Sequence, residues 1–306
     1  MRPSIACLLL LAAATASAQK RDPAEIGKRD VGRGINFYSL EKEIALGREM
    51  AHDVELSSRI LDDPVVSEYV NRLGQNLVRN SDALVPFTIK VIDSPEINAF
   101  ALPGGFFFVH TGLILKADDE AELAGVMAHE IAHVAARHGT RQATRASIIN
   151  YATIPLIFMG GTAGFAVRQA AGLAAPLGFL RFSRGMESEA DMLGLQYMYK
   201  AGYDPTSFVD FFERIQTMEK RKSGTVSKLF STHPMTKDRI KATQKRIQRD
   251  LEPLSEYVVD TSEFAAVKQR LVRIERRNQD AMRDLDRPVL LRRTRTTTAG
   301  EERPGR

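Results

Sequence analysis

The feature that most constrains this chain is an apolar helical run with ionisable side chains set inside it. Leu123, Ala124, Val126, Met127, Ala128, Ile131, Ala132 and Val134 surround His129, Glu130 and His133. A run this apolar belongs to a core, and two imidazoles and a carboxylate are costly there unless hydrogen bonds or a metal satisfy them. Histidines four positions apart lie roughly 40° from one another around a helix, so both rings reach one cation. Glu130, between them, approaches water bound to that cation.

This is the HExxH spacing, in which neutral imidazoles ligate zinc and the carboxylate acts as general base. Taken alone, five letters also fit a helix with two surface histidines and a solvated Glu; the apolar surroundings argue against that. A third ligand is required. The metzincin pattern would place Gly and His where this chain has Ala136 and Gly139, with a histidine at His138 instead. On a continuing helix His138 is rotated roughly 140° from His133, which makes it a polar-face or C-terminal capping residue. The better source is Ser183 to Asp191, where Glu187 and Asp191 share one helix face and Glu189 points to the other. Such a pair supplies one ligand and one acceptor for a ligand histidine's free N–H. Without the histidine pair, the same segment would be an ordinary solvated acidic face.

HExxH, SRxxExEAD and a later His-Pro together resemble the HtpX and CAAX-prenyl-protease family of zinc peptidases, nearest its soluble periplasmic branch typified by BepA and LoiP. The resemblance runs from roughly Ser39 to Asp250. It implies a zincin-like (gluzincin) domain with one Zn2+ per chain on His129, His133 and Glu187, Glu130 as catalytic base, and Asp191 orienting a histidine. Ser231-Thr232-His233-Pro234 and Arg239 match the family's downstream signature. His233 then either fills the fourth zinc position and keeps the enzyme latent, or donates an N–H to the tetrahedral oxyanion. Arg239 positions that loop or binds a carboxylate. Asn98, Ala99, Phe100 and Ala101, before Leu102-Pro103-Gly104-Gly105, also resemble the family; they read as an edge strand that takes substrate backbone, or as a structural hairpin.

The implied function is a metalloendopeptidase acting on unfolded or misassembled proteins in cell-envelope and outer-membrane protein quality control. Two rivals stand beside it: a chaperone-like binding protein whose zinc is kept latent by a fourth ligand, and a hydrolase of small substrates. The longer periplasmic relatives carry a C-terminal helical-repeat domain, for which this chain is too short, so partner recruitment does not carry over from them.

Capping residues and periodicity predict helices from Ser39 to about Leu56, from Pro64 with Val65, Val66, Tyr69, Val70 and Leu73 as its stripe, and from Asp118 or Asp119 to at least Arg137. Others cover Ser183–Tyr199, a segment from Pro205, Lys237–Asp250, and Glu263–Asp284 with Phe264, Val267, Leu271 and Ile274 as its stripe. Strands are expected at Phe87–Ile92, Asn98–Leu102 and Phe106–His110, which makes the class α+β and mainly helical, with a small sheet beside the HExxH helix.

Residues 1–18 read as a signal peptide: Arg2, an apolar run from Leu8, and Ala16-Ser17-Ala18. Export to a bacterial periplasm follows, and the only cysteine, Cys7, leaves with the leader. Residues 19–255 form the peptidase domain, 256–286 a helical extension and 287–306 a basic disordered tail. The net charge of +5 resides in Arg2 and that tail, which leaves 19–286 formally neutral and argues against nucleic acid as a partner. The apolar segment 148–167 is first a cleft lid or membrane-surface segment; it or the tail would give peripheral membrane association. A single crossing there would place the two halves of the metal site in different compartments.

Overall fold

The computed structural model describes residues 22–157, 182–221 and 232–285. The expected leader over 1–18, the expected basic tail over 287–306 and the part of 148–167 beyond residue 157 lie outside them. Helix α1 spans Leu40–Ser57, with the Ser39 side chain accepting from the Lys42 N–H. Helix α2 spans Pro64–Arg79; Asp63 caps it and Pro64 takes the first position, where its missing N–H has no role. Val66, Tyr69, Val70, Leu73 and Leu77 are its buried stripe, whereas Val65, expected in that stripe, is exposed.

Strands β1 (Thr88–Ile92), β2 (Ala99–Leu102) and β3 (Phe106–His110) form a mixed sheet with β3 in the centre. β1 pairs parallel to β3 and β2 antiparallel, so β2 is an edge. A 3-10 turn over Pro103–Gly105 joins β2 to β3, with Gly104 at φ 76° and Gly105 at φ 89°. Helix α1 lies directly against this turn: a Cβ added at Gly47 would stand 1.7 Å from the Pro103 carbonyl oxygen.

Helix α3 (Thr111–Lys116) leads to α4 (Glu120–Ala135), capped by Asp119, in which every residue is buried. The expected continuation past Arg137 does not occur. Arg137 adopts φ 55°, a left-handed conformation that ends the helix, and α5 starts anew at His138 and runs to Ile157. Helices α6 (Arg184–Lys200), α7 (Thr206–Arg221), α8 (Lys237–Asp250) and α9 (Ser262–Leu285) follow. α6 packs on α4 closely enough that a Cβ at Gly194 would lie 3.1 Å from His129 N.

The sheet separates two apolar cores, as alternation of side chains along its strands requires. Phe107, Val109, Ala99 and Ala101 face the main core with α2, α4, α6 and α7. Leu102 and Phe108 face a smaller one with Ala51 of α1, and Phe100 and Phe106 pack against it. α9 belongs to the main core: Phe264, Val267, Leu271 and Ile274 are buried, and the helix packs on α2 and α3. The predicted stripe therefore docks on this body. Among the described residues no helix is long and apolar enough to cross a membrane.

Candidate metal centre

His129 and His133 stand one turn apart on α4 with their Nε2 atoms 3.1 Å apart. Glu187, in the first turn of α6, brings Oε2 to 3.5 Å from His129 Nε2 and Oε1 to 3.7 Å from His133 Nε2. His233, from the segment before α8, places Nδ1 2.9 Å from Glu187 Oε1. One donor atom from each of these four buried residues lies within 4.8 Å of the others. Two imidazoles and a carboxylate are the donor set of a hydrolytic zinc site, and a fourth donor closes it.

The chemistry of the pocket fits a cation. Glu130 Oε1, buried and 3.5 Å from His233 Nε2, has no hydrogen-bond partner among the described residues. Glu130 Oε2 accepts from Ala101 N–H at 3.4 Å. Burial raises the Glu130 pKa above the ordinary carboxylate value. For His129, burial favours the neutral ring, but Asp191 and Glu187 outweigh it and push its pKa up to about 9. His133 is held well below the usual histidine value by burial and then by His129. Burial alone would raise Glu187, yet the surrounding histidines, His233 foremost, hold its carboxyl low. A metal among these donors would take the place of the proton that Asp191 and Glu187 favour on His129.

The supporting residues also converge. Asp191 Oδ1 lies 3.2 Å from His129 Nδ1. Arg239 grips Asp191 with two bonds of 2.8 and 2.6 Å, reaches the Pro234 carbonyl at 2.9 Å and lies 2.9 Å from Glu187 Oε2. Burial opposes the charge on Asp191, but the Arg239 hydrogen bonds keep its pKa lowered. Arg239 is therefore a buried member of the cluster that ties the His233 segment to α6.

His138 requires a correction. Expected on a polar face away from the metal, it is fully buried with Nδ1 3.0 Å from His133 Nδ1 and Nε2 3.2 Å from Glu189 Oε2. The 140° argument assumed a continuing helix, and the left-handed Arg137 breaks it. Arg137 is held by Glu43 Oε2 at 2.8 Å and the Tyr38 carbonyl at 2.7 Å, both from the N-terminal part of the chain. Glycine or asparagine makes such a break visible in sequence, and position 137 is Arg. Phe182, stacked on His133 at 4.1 Å between ring centroids, also carried no sequence signal.

A cleft of about 830 Å³ opens beside the cluster, lined by Val54, Asn98, Phe100, Leu102, Glu130 and His233 among others. His110 N–H bonds Asn98 O, so positions 98, 100 and 102 bond toward β3 and Ala101 N–H points to the free edge. Asn98 Oδ1 is buried with no hydrogen-bond partner among the described residues. The four predicted residues Asn98, Ala99, Phe100 and Ala101 are thus brought beside Glu130, Ala99 and Ala101 with their side chains in the core.

An HExxH helix completed by a carboxylate from a second helix defines a metallopeptidase-type centre. The chain belongs to Peptidase family M48, which its residues 64–247 match. It is 32% identical over 245 residues to the beta-barrel assembly-enhancing protease of Escherichia coli K12, which covers 76% of this chain and 48% of that protein. The protein of the same name from Yersinia pestis is 30% identical, over 79% of this chain and 52% of its own length. The mitochondrial metalloendopeptidase OMA1 of Schizosaccharomyces pombe is 34% identical, over 70% of this chain and 63% of its own. The chain spans about half the length of the beta-barrel assembly-enhancing proteases it matches.

Proposed function

We propose that this chain is a zinc metalloendopeptidase of unfolded or misassembled proteins. The observation that carries this reading is the buried cluster of His129, His133 and Glu187, with a Glu130 oxygen left unpaired beside a sheet edge. His129, His133 and Glu187 would hold one Zn2+, which when bound supplies a Lewis acid for the peptide carbonyl and lowers the pKa of water. Glu130, its pKa raised by burial, takes a proton from the attacking water and passes it to the leaving nitrogen. Its Oε2 already meets the Ala101 N–H, so a peptide laid along β2 reaches the base directly. A strand edge recognises backbone and suits extended, unfolded chains; the partly exposed Phe100 offers their side chains apolar surface.

His233, within bonding distance of Glu187, completes a four-donor set and supports a latent resting state. It would leave its position on activation and is then free to donate to the oxyanion. Asp191 and Arg239 would orient His129 and hold the His233 segment. The name of the beta-barrel assembly-enhancing proteases supports outer-membrane protein assembly as the setting. We place this protein in a bacterial periplasm after removal of residues 1–18, with 19–255 as the peptidase domain, 256–286 as an extension and 287–306 as a basic tail. Peripheral membrane association would run through 148–167 or that tail.

The test is metal analysis with casein hydrolysis. One Zn2+ per chain is expected, and Glu130→Gln should retain it while kcat/KM falls by about 10²–10⁴-fold. His233→Ala should cleave faster if His233 caps the metal, and slower if it chiefly serves the oxyanion. The four-donor set also fits a zinc-containing, chaperone-like binding protein. Zinc-loaded wild type and His233→Ala that both bind unfolded casein without either cutting it would establish that reading and overturn the peptidase.

A further inference from the structure

Both α4 histidines turn Nε2 toward the cluster, since these two atoms face each other at 3.1 Å. Their Nδ1 atoms have different neighbours. Asp191 Oδ1 lies 3.2 Å from that of His129, whereas that of His133 is within hydrogen-bond distance of a second imidazole, that of His138. We propose that His138, backed by Glu189, is a positioning residue that accepts the His133 Nδ1 proton and so presents the Nε2 lone pair of His133 to the metal. This rests on the metal-centre reading given under Proposed function.

The proton positions follow from the contacts. A neutral imidazole that ligates through Nε2 carries its proton on Nδ1. Two nitrogens 3.0 Å apart need one donor and one acceptor, so His138 must offer a bare Nδ1 to His133. Its own proton then sits on Nε2, where Glu189 Oε2 waits at 3.2 Å. An ionised carboxylate only accepts, so Glu189 sets the direction of the whole chain. Arg141 Nη1 donates to the same oxygen at 3.4 Å and so helps to hold Glu189 in place.

The backbone supports a built device. A non-glycine residue at positive φ persists only where its surroundings over-determine it. Arg137 is so determined, by Glu43 and Tyr38, and its turn is what brings His138 back onto His133. His138 is fully buried, so bulk water does not substitute for its ring. A carboxylate or carbonyl commonly holds a ligand histidine; here an imidazole transmits a more distant carboxylate.

Two substitutions separate the nitrogens. His138→Asn keeps an acceptor near the Nδ1 position and loses the link to Glu189; His138→Gln reaches toward Glu189 and withdraws the acceptor from His133. The measurements are Zn2+ affinity by competition with a chromophoric chelator, the absorption bands of the Co2+-loaded protein, and the Tm of each metal-free chain. His138→Gln should bind Zn2+ about ten- to a hundredfold more weakly and shift the Co2+ bands. His138→Asn should stay near wild type in both, with the metal-free Tm of the two variants alike. Wild-type affinity in His138→Gln overturns the proposal, as does equal weakening in both variants tracking a common fall in metal-free Tm. Wild type that takes up neither metal overturns the metal centre itself, and is recognised before any variant is compared.

Discussion

Arg239 shows how much can depend on one side chain. Its guanidinium bonds Asp191 twice, lies against Glu187 and holds the Pro234 carbonyl, so it fixes the carboxylate beside His129, Glu187 and the neighbour of His233 together. Its planar fork matches a carboxylate in a way that a lysine does not. Removing it would leave Asp191 charged and buried without its partner. Arg239→Ala is therefore expected to lower stability by about 3–5 kcal/mol in urea unfolding of the metal-free chain, while Arg239→Lys recovers only part. Asp191 then loses the hydrogen bonds that keep its pKa low. Equal stability of Arg239→Ala and wild type would show that solvent reaches Asp191 after all.

At the scale of elements, helix packing sets the position of the edge strand. α1 rests on the Pro103–Gly105 turn through Gly47, and this contact holds β2 against α4 where Ala101 meets Glu130. Alanine at an exposed helical glycine would gain about 1 kcal/mol. At Gly47 the added carbon meets a backbone carbonyl, which has no rotamer to escape into. Gly47→Ala is expected to cost a net of about 1–3 kcal/mol by denaturant unfolding and to displace β2 from Glu130. A stabilised Gly47→Ala chain would mean that α1 rides freely over the turn.

For the whole molecule, the C-terminal helix is tied to the start of α2. Arg270 Nε lies 2.8 Å from both oxygens of Asp63, the residue that caps α2. The Arg270 hydrogen bond is the main reason that the Asp63 pKa lies below the ordinary carboxylate value, against opposing burial. A depressed carboxylate stabilises fully above its unfolded pKa of about 3.9 and loses that stabilisation as pH falls through the folded value. Asp63→Asn keeps a cap and removes the charge. The stability gap between wild type and Asp63→Asn should be constant from neutrality to about pH 5 and close in stronger acid. A gap that widens on acidification would contradict this linkage.

Caps, helical stripes and the HExxH pair were legible in the sequence because each depends on residues within one or two turns. Ser39, Asp63 and Asp119 cap as their side chains dictate, and the α9 stripe is buried as its period requires. The tertiary structure alone decided which distant groups meet. Glu187 reaches the histidines because Gly194 lets α6 approach α4, and Arg239 becomes buried because α8 packs against α6. His138 turns inward because Glu43 and Tyr38 capture Arg137 in a conformation that an arginine does not choose for itself. Local preference is written in neighbouring residues; a left-handed Arg and a charge buried across the fold exist only where contacts far along the chain offset their cost.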